Sequence, residues 1–554
     1  MKLSPSHRYS LAFGLCLLVL AGAFLLRPYA AVMAAHLPVE PGSRLVTLLN
    51  RFAGQDQRTR QDQDPRTSKQ RQTGSRTTTT TEADKIPCAS LPEYFDQLSS
   101  GGQTAKLIEM GCIPPATTNS AQAERVQGPT LESAITTVPV NDAAADLTSR
   151  RTQSETALLL AGSNIISAFN DSGSFTANTS PGNHFTGFAV SMDGGATFTD
   201  KGTLTDNVGG DLGDPVLARS ASTGTVFMAT LHFSLDALQI FRSTDNGMTF
   251  GAPINGAPGF SLAAANHDKE WITVDNTPGP GYGNVYMAWR NFGNPAGITF
   301  TRSTDDGLTW GPSGGLLLEN NGQGTFVTVG ADHAVYVFYY ASGPAIKMRK
   351  STDQGLTFAP AVTVAPILST GTNGALGLEF RSNAFPQAYA HPTNPNILYM
   401  TYNDNPAGVD RGNVFFRQSN DGGATWSAPI RINTDATTND QFFPSLAIKP
   451  DGSALALTWY DRRGDPANVL MERWGRVGTI SGTTVNFGPN FVISDVAFPP
   501  IFGIDTVVNA TYIGDYDQMA ADNTYFYTTF LDARLGSQDV RFAKFTNARS
   551  EETL

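Results

Sequence analysis

Ser191-Met192-Asp193-Gly194-Gly195-Ala196-Thr197-Phe198 has the form Ser-x-Asp-x-Gly-x-Thr followed by an aromatic, and four later segments repeat it: Ser243 to Phe250, Ser303 to Trp310, Ser351 to Phe358 and Ser419 to Trp426. Their starts lie 48 to 68 residues apart. Such self-similarity marks a repeat architecture, and a four-stranded propeller blade has about this length. The residue types account for a turn. The Asp can accept hydrogen bonds from amides of its own turn, the Gly can take the positive φ that closes a hairpin, and the aromatic can pack between neighbouring sheets. Local side-chain-to-backbone bonding explains the Asp without catalysis, so it is read as a folding device.

Apolar strand pairs precede each turn, for example Thr156 to Leu160 with Ile165 to Phe169, and Thr325 to Val329 with Ala334 to Tyr339. Two further units keep the pair without the motif: Pro444 to Ile448 with Ala454 to Trp459, and Asp517 to Ala520 with Tyr525 to Phe530. The count is then seven. The last unit has one more strand, Val540 to Phe545, before the chain ends, so its fourth must come from elsewhere. Ser133 to Val140, alternating and β-branched, is expected to supply it and close the ring. Composition agrees with an all-β fold: Gly (54) and Pro (33) are plentiful and charged residues are only 16%, which suits short strands and turns.

Upstream, Lys2 and Arg8 precede an apolar run from Leu11 to Leu26 and a small-residue stretch from Ala30 to Ala35, the order of a secretory signal. Val32-Met33-Ala34 is the expected cleavage tripeptide. The 16-residue run is short for a membrane span; an uncleaved N-terminal anchor is the alternative, and the only membrane contact expected. Residues 36–85 are polar and Thr-rich and read as a disordered linker. Cys88 and Cys112 are expected to form a disulfide that ties a small helical element over 86–125; two free buried thiols are the other reading. A linker and closing strand occupy 126–150, the propeller 151–546 and a tail 547–554. Loss of 1–35 removes three cations and no acid, taking the formal charge from −11 to −14. Such a chain does not attract phosphate backbones, so nucleic acid is excluded as a partner. A monomer is expected.

The five turns resemble the BNR or Asp-box repeats of the sialidase superfamily, over about residues 150 to 546. The resemblance implies a β-propeller, with six blades as the alternative to seven, and a glycan or glycoconjugate as partner. It also implies an arginine triad for the substrate carboxylate, an Asp acid/base, and a Tyr nucleophile assisted by Glu. The family's Arg-Ile-Pro tripeptide is absent; the nearest string, Arg431-Ile432-Asn433, follows the fifth turn. On the face opposite the turns, the candidates for the site are Arg290 and Arg381 as carboxylate binders, Asp461 or Asp515 as acid/base, and Tyr512 assisted by Glu270 as nucleophile. Asp461 with Arg462, and Asp532 with Arg534, recur at equivalent places, which favours loop bracing for them. The rival to hydrolysis is a non-catalytic scaffold or adhesion module binding protein or glycan.

No cofactor is implied. Asp206, Asp211 and Asp214 lie close together among glycines and could hold a structural Ca²⁺, yet no Asp-x-Asp-x-Asp-Gly loop is present and a solvated acidic loop is the preferred reading.

Overall fold

The computed structural model describes residues 149–547 except 176–183, 206–209, 233–237, 261–266, 342, 370–375 and 406–409, together with 104–105, 107–108, 112–115, 128–131 and 135–146. Seven separate four-stranded antiparallel sheets follow one another along the chain. Six are built from consecutive strands: blade 1 over 153–203, blade 2 over 216–255, blade 3 over 267–319, blade 4 over 323–366, blade 5 over 387–431 and blade 6 over 441–492. Blade 7 is completed differently. Its strands Met519–Ala521, Phe526–Asp532 and Asp539–Phe545 are joined on the outside by Val138–Pro139, which pairs Val138 with Phe542 and Pro139 with Arg541. The expected N-terminal closing strand is therefore present, and the ring is a seven-bladed propeller rather than six-bladed.

The turns hold themselves and one another. In all five, the Ser hydroxyl accepts the amide of the Gly four residues on, at 2.8–2.9 Å, and donates to the Asp. The same Asp accepts both the amide and the hydroxyl of the following Thr. Those bonds, from Thr357 first, hold the Asp353 carboxyl down at about 2. It is an acceptor, not a proton donor.

The turn then docks on the blade before it. A Cβ added to Gly307 would lie 2.7 Å from the Phe227 ring of blade 2, one on Gly355 2.8 Å from Phe300 of blade 3, and one on Gly423 2.8 Å from Met348 of blade 4. All three glycines also have positive φ, so they are required twice over. The closing aromatics do the same: Phe250 meets Phe188 of blade 1, Phe358 meets Phe300, Trp426 meets Phe338, and Phe198 reaches back to Phe542 of blade 7, with ring centroids 4.9–5.8 Å apart.

At the axis the inner strands share an irregularity. Register skips between Ser154 and Ala157, Asp268 and Trp271, Gln323 and Phe326, and Phe442 and Ser445. Within these bulges Glu155, Lys269, Gly324 and Phe443 take φ of +51°, +53°, +66° and +48°. A bulge re-aims a side chain at a sheet end.

The disulfide-tied helical element is not supported. Most of 86–125 lies outside the described residues, and where the chain is described the Cys112 amide bonds back to the Leu107 carbonyl at 2.9 Å, a closure that ends a helical turn instead of propagating it. Cys112 itself is disulfide-bonded; Cys88, the segment 1–35 and the linker 36–85 lie outside the described residues. Among the described residues no helix is long and apolar enough to cross a membrane.

Gly307→Ala is expected to destabilise the protein by about 1–3 kcal/mol, because strain and a clash coincide there. Gly251→Ala, which meets only ordinary contact at 3.7 Å, is the control. Equal melting temperatures for the two variants would contradict the docking. Deletion of 126–145 is expected to abolish cooperative unfolding, and a deletion protein that still melts in one sharp transition would show that the ring closes without it.

Candidate functional site

In each blade the inner strand begins, and the second strand ends, on the face away from the five turns. This is the mouth. There the bulges deliver charged side chains to the axis. Glu155 comes from blade 1, Lys269 from blade 3, and Asp214, itself at φ +55°, from the entry to blade 2. All three are at most 3% exposed.

Asn170, at the mouth end of blade 1's second strand, ties the group together. Its Nδ2 donates to Glu155 Oε2 at 3.0 Å, to Asp214 Oδ1 at 3.2 Å and to Tyr512 Oη at 2.7 Å, while its Oδ1 accepts the Asp214 amide at 2.6 Å. The Glu155 and Asp214 carboxyls are thereby held side by side on one amide group. Burial first, and the Asp214 charge second, push Glu155 well above the carboxylate range.

Arg381 faces the other side of the group. Its Nε and Nη2 grip Asp515 bidentately at 3.2 and 2.8 Å, Nη2 lies 3.7 Å from Glu155, and the guanidinium sits 4.6 Å over the Tyr512 ring. Asn383 anchors the same loop by donating to the Asp515 carbonyl. Lys269 places its ammonium 3.4 Å from the centre of the Tyr516 ring and 4.6 Å from that of Trp271. Burial lowers it to about 8 against the pull of Glu155 and Asp214. Between Lys269, Asn383, Asp515 and Tyr516 lies a cavity of about 10 Å³, room for about one water.

Of the residues singled out from sequence, Arg381, Tyr512 and Asp515 come together. Glu270 does not join Tyr512; the carboxylate beside Tyr512 is Glu155. Glu270 is wholly buried, neither carboxylate oxygen has a hydrogen-bond partner, and burial followed by the Asp214 charge raises it well above its usual range. Arg290 stacks its guanidinium 4.5 Å over Phe292 and shares none of the contacts just described. Asp461 accepts from Arg463 at 2.6 and 2.9 Å, from Trp459 at 2.7 Å and from Gln441 at 3.3 Å. Asp532 and Arg534 repeat that clasp at 2.7 and 2.8 Å. Both pairs brace loops. Arg462, expected beside Asp461, instead reaches Glu379 at 2.5 Å.

Asp206 lies outside the described residues. Asp211 pairs with His184 Nδ1 at 2.5 Å and Asp214 belongs to the carboxyl pair, so the two are separately engaged. No group of three His, Cys, Asp or Glu among the described residues is arranged to hold a metal.

Sequence reasoning missed Glu155 and Asn170 and gave Asp214 another role. A signal existed: Glu155, Asp214 and Lys269 each stand two residues before the first apolar residue of an inner strand, Ala157, Val216 and Trp271.

No family model matches the chain, and no curated protein matches it. Solved structures similar to it include a protein of unknown function from Dyadobacter fermentans, at 16% identity over 64% of this chain and 97% of that one, with a TM-score of 0.40. Two others are an alpha-L-arabinofuranosidase from Fusarium graminearum, at 12% identity over 76% and 98% with a TM-score of 0.38, and a sialidase from Streptococcus pneumoniae, at 12% over 76% and 71% with a TM-score of 0.37. Likeness at this level says nothing about the chemistry of the axis.

Glu270 gives a pH dependence. Its folded-state value lies above the unfolded one, so the native state holds a proton that the unfolded chain has released, and stability falls as pH rises from about 4.5 towards the raised value. Glu270→Gln removes that cost. Its melting temperature relative to the parent is expected to climb as pH goes from about 4.5 to 8; a difference that stays constant would mean Glu270 is not held neutral.

Proposed function

We propose that this chain is an exported Asp-box propeller whose mouth face binds glycan without hydrolysing it. The observation that carries the reading is the occupation of Arg381. A guanidinium that recognises a sugar carboxylate must present its paired N–H groups to the ligand. Arg381 spends them on Asp515, with Glu155 behind and Tyr512 beneath, and is 3% exposed.

The carboxyls argue the same way. Retaining and inverting glycosidases hold their two carboxyl groups about 5–5.5 or 6.5–9.5 Å apart to flank the scissile bond. Glu155 and Asp214 instead both accept from one Asn170 amide, at 3.0 and 3.2 Å. They fill the axis rather than line a cleft. Support for a glycan ligand comes from the Asp-box resemblance of the five turns. Export is supported by the run from Leu11 to Leu26 between basic and small residues, and the acidic net charge of −11 suits neither nucleic acid nor anionic lipid.

The purified protein is expected to turn over neither a fluorogenic sialoside nor a panel of other glycosides, while retaining ligands on a glycan array. Arg381→Ala is expected to lower the melting temperature, because an unpaired buried Asp515 costs about 3–5 kcal/mol. Sialoside turnover that Tyr512→Phe abolishes with no change in melting temperature would overturn the non-catalytic reading and favour a hydrolase using Tyr512 and Glu155. For export, mass spectrometry of the mature protein is expected to find the chain starting near Ala35, and a start before residue 30 would reject cleavage.

A further inference from the structure

In blades 2, 3 and 4 the residue just before the Ser of the turn reaches across to the turn of the next blade. Arg242 of blade 2 donates to the Asp306 carboxylate in the blade 3 turn, which also accepts from Thr223 and Thr225 at 2.8 and 2.7 Å. Lys350 of blade 4 reaches the Gly422 carbonyl in the blade 5 turn at 3.3 Å. Arg302 of blade 3 stands at the same place, and its Nη1 donates to the Gln354 carbonyl in the blade 4 turn at 2.7 Å. The turn position that carries Asp306 in blade 3 carries Gln354 in blade 4. Arg302 therefore meets no carboxylate there. Among the described residues it forms no ion pair, and its Nε and Nη2 have no protein acceptor. The nearby acids of the two turns are engaged locally, Asp305 by Ser303 and Thr309, and Asp353 by Ser351 and Thr357.

An open groove lies beside this guanidinium. It runs between the turns of blades 3 and 4 and over the outer strand of blade 3, with a volume of about 500 Å³, a size typical of small-ligand sites. Its lining is mixed. Pro312, Leu316 and Leu356 are apolar, and Leu356 is 58% exposed; Arg302 and the exposed Thr304 are polar, and the Thr304 hydroxyl has no protein partner among the described residues. Nε and Nη2 form the edge of a guanidinium that takes a carboxylate bidentately. At the axis Arg381 spends that edge on Asp515, beside a cavity of about 10 Å³. Arg302 keeps it, beside a space that a sugar ring can enter.

We infer that the groove between the blade 3 and blade 4 turns binds an acidic sugar, with Arg302 holding the carboxylate, Thr304 a ring hydroxyl, and Leu316 and Leu356 the apolar face of the ring. That the carboxylate belongs to a sugar rests on the glycan reading above; that the groove takes a carboxylate rests on Arg302 and the groove alone. A chain with a formal net charge of −11 does not gather anions from a distance. The ligand is held by contact, through one uncompensated cation and the apolar walls beside it.

The test titrates the full-length parent, Arg302→Gln and Gln354→Asp with glucuronate, and with glucose and acetate as the neutral sugar and the bare carboxylate, by ligand-observed saturation-transfer NMR, with a melting temperature for each protein. Gln354→Asp gives the blade 4 turn the carboxylate that Asp306 gives the blade 3 turn, and the two positions share φ of +59° and +61°, so the backbone accepts it. The parent is expected to bind glucuronate in preference to glucose and acetate. Both variants are expected to weaken glucuronate by about tenfold or more, the factor carried by one charge-assisted hydrogen bond. Gln354→Asp is expected to melt no lower than the parent, because its new carboxylate occupies Arg302 as Asp306 occupies Arg242. Lost binding in a protein of undiminished stability is a result that a purely bracing Arg302 would not give. A parent that does not bind glucuronate would overturn the site, as would glucuronate binding that both variants leave unchanged; acetate held as tightly as glucuronate would overturn the sugar. The mouth is judged separately on the glycan array. Retention of neutral glycans by a parent that ignores glucuronate removes this groove and keeps the mouth, whereas glucuronate binding that the variants lose, with no neutral glycan retained, keeps the groove and removes the mouth.

Discussion

Everything in this propeller depends on one contact repeated around the ring, the seating of each Ser-x-Asp-x-Gly-x-Thr turn on the blade before it. Antiparallel sheets hold themselves together by backbone bonds, but backbone bonds from blade to blade are few, such as those of the Gln518 amide to the Thr156 carbonyl and the Gln153 amide to the Gln538 carbonyl at 2.8 Å between blades 7 and 1, so the angle from blade to blade comes mainly from side chains. The turn provides it. Its Asp and Ser satisfy their own amides, which lets the Gly approach an aromatic or aliphatic side chain of the neighbour closely enough that no Cβ would fit. Each seat gains apolar burial and fixes a spacing, and the two outer rings of contact, glycine and closing aromatic, act on the same partner: Phe300 receives both Gly355 and Phe358.

Closing a ring of this kind adds a requirement that no single blade can meet. Blade 7 lacks an outer strand of its own and receives Val138–Pro139 in its place, and the turn of blade 1 seats on it through Gly195 and Phe198 against Phe542. Arg541 of blade 7 also bonds to Thr137 at 2.8 Å. Blade 7 is therefore completed by residues some 400 positions apart in the chain, which ties the folding of the ring to its completion.

The axis is organised by a different constraint. Non-glycine residues in the left-handed region cost roughly 1–2 kcal/mol each, and Glu155, Asp214, Lys269 and Phe443 all adopt it where inner strands begin. What the strain achieves is direction: charged side chains that would alternate between sheet faces are turned to the centre, where Asn170, Arg381 and Tyr512 receive them. A buried polar network of this kind confers rigidity when satisfied and is costly where it is not; Glu270, buried outside the network with neither oxygen hydrogen-bonded, bears that cost alone.

The repeats, the seven units and the borrowed outer strand of blade 7 were legible in the chain because they depend on local rules: hydrogen bonds within one turn, alternation within one strand, and the need of an edge for a partner. The bracing clasp of Asp532 by Arg534 was legible too, since its two residues are neighbours; for Asp461 the sequence named the right carboxylate and the wrong arginine. Tertiary structure alone decided who meets at the axis. Tyr512 could be chosen as a site residue from its loop, but whether Glu270 or Glu155 lies beside it depends on how seven inner strands converge, and on bulges whose register skip flips a side chain from the sheet to the channel. A chain read in one dimension carries no distance between blades 1, 3 and 7, and the pairing of buried charges follows distance.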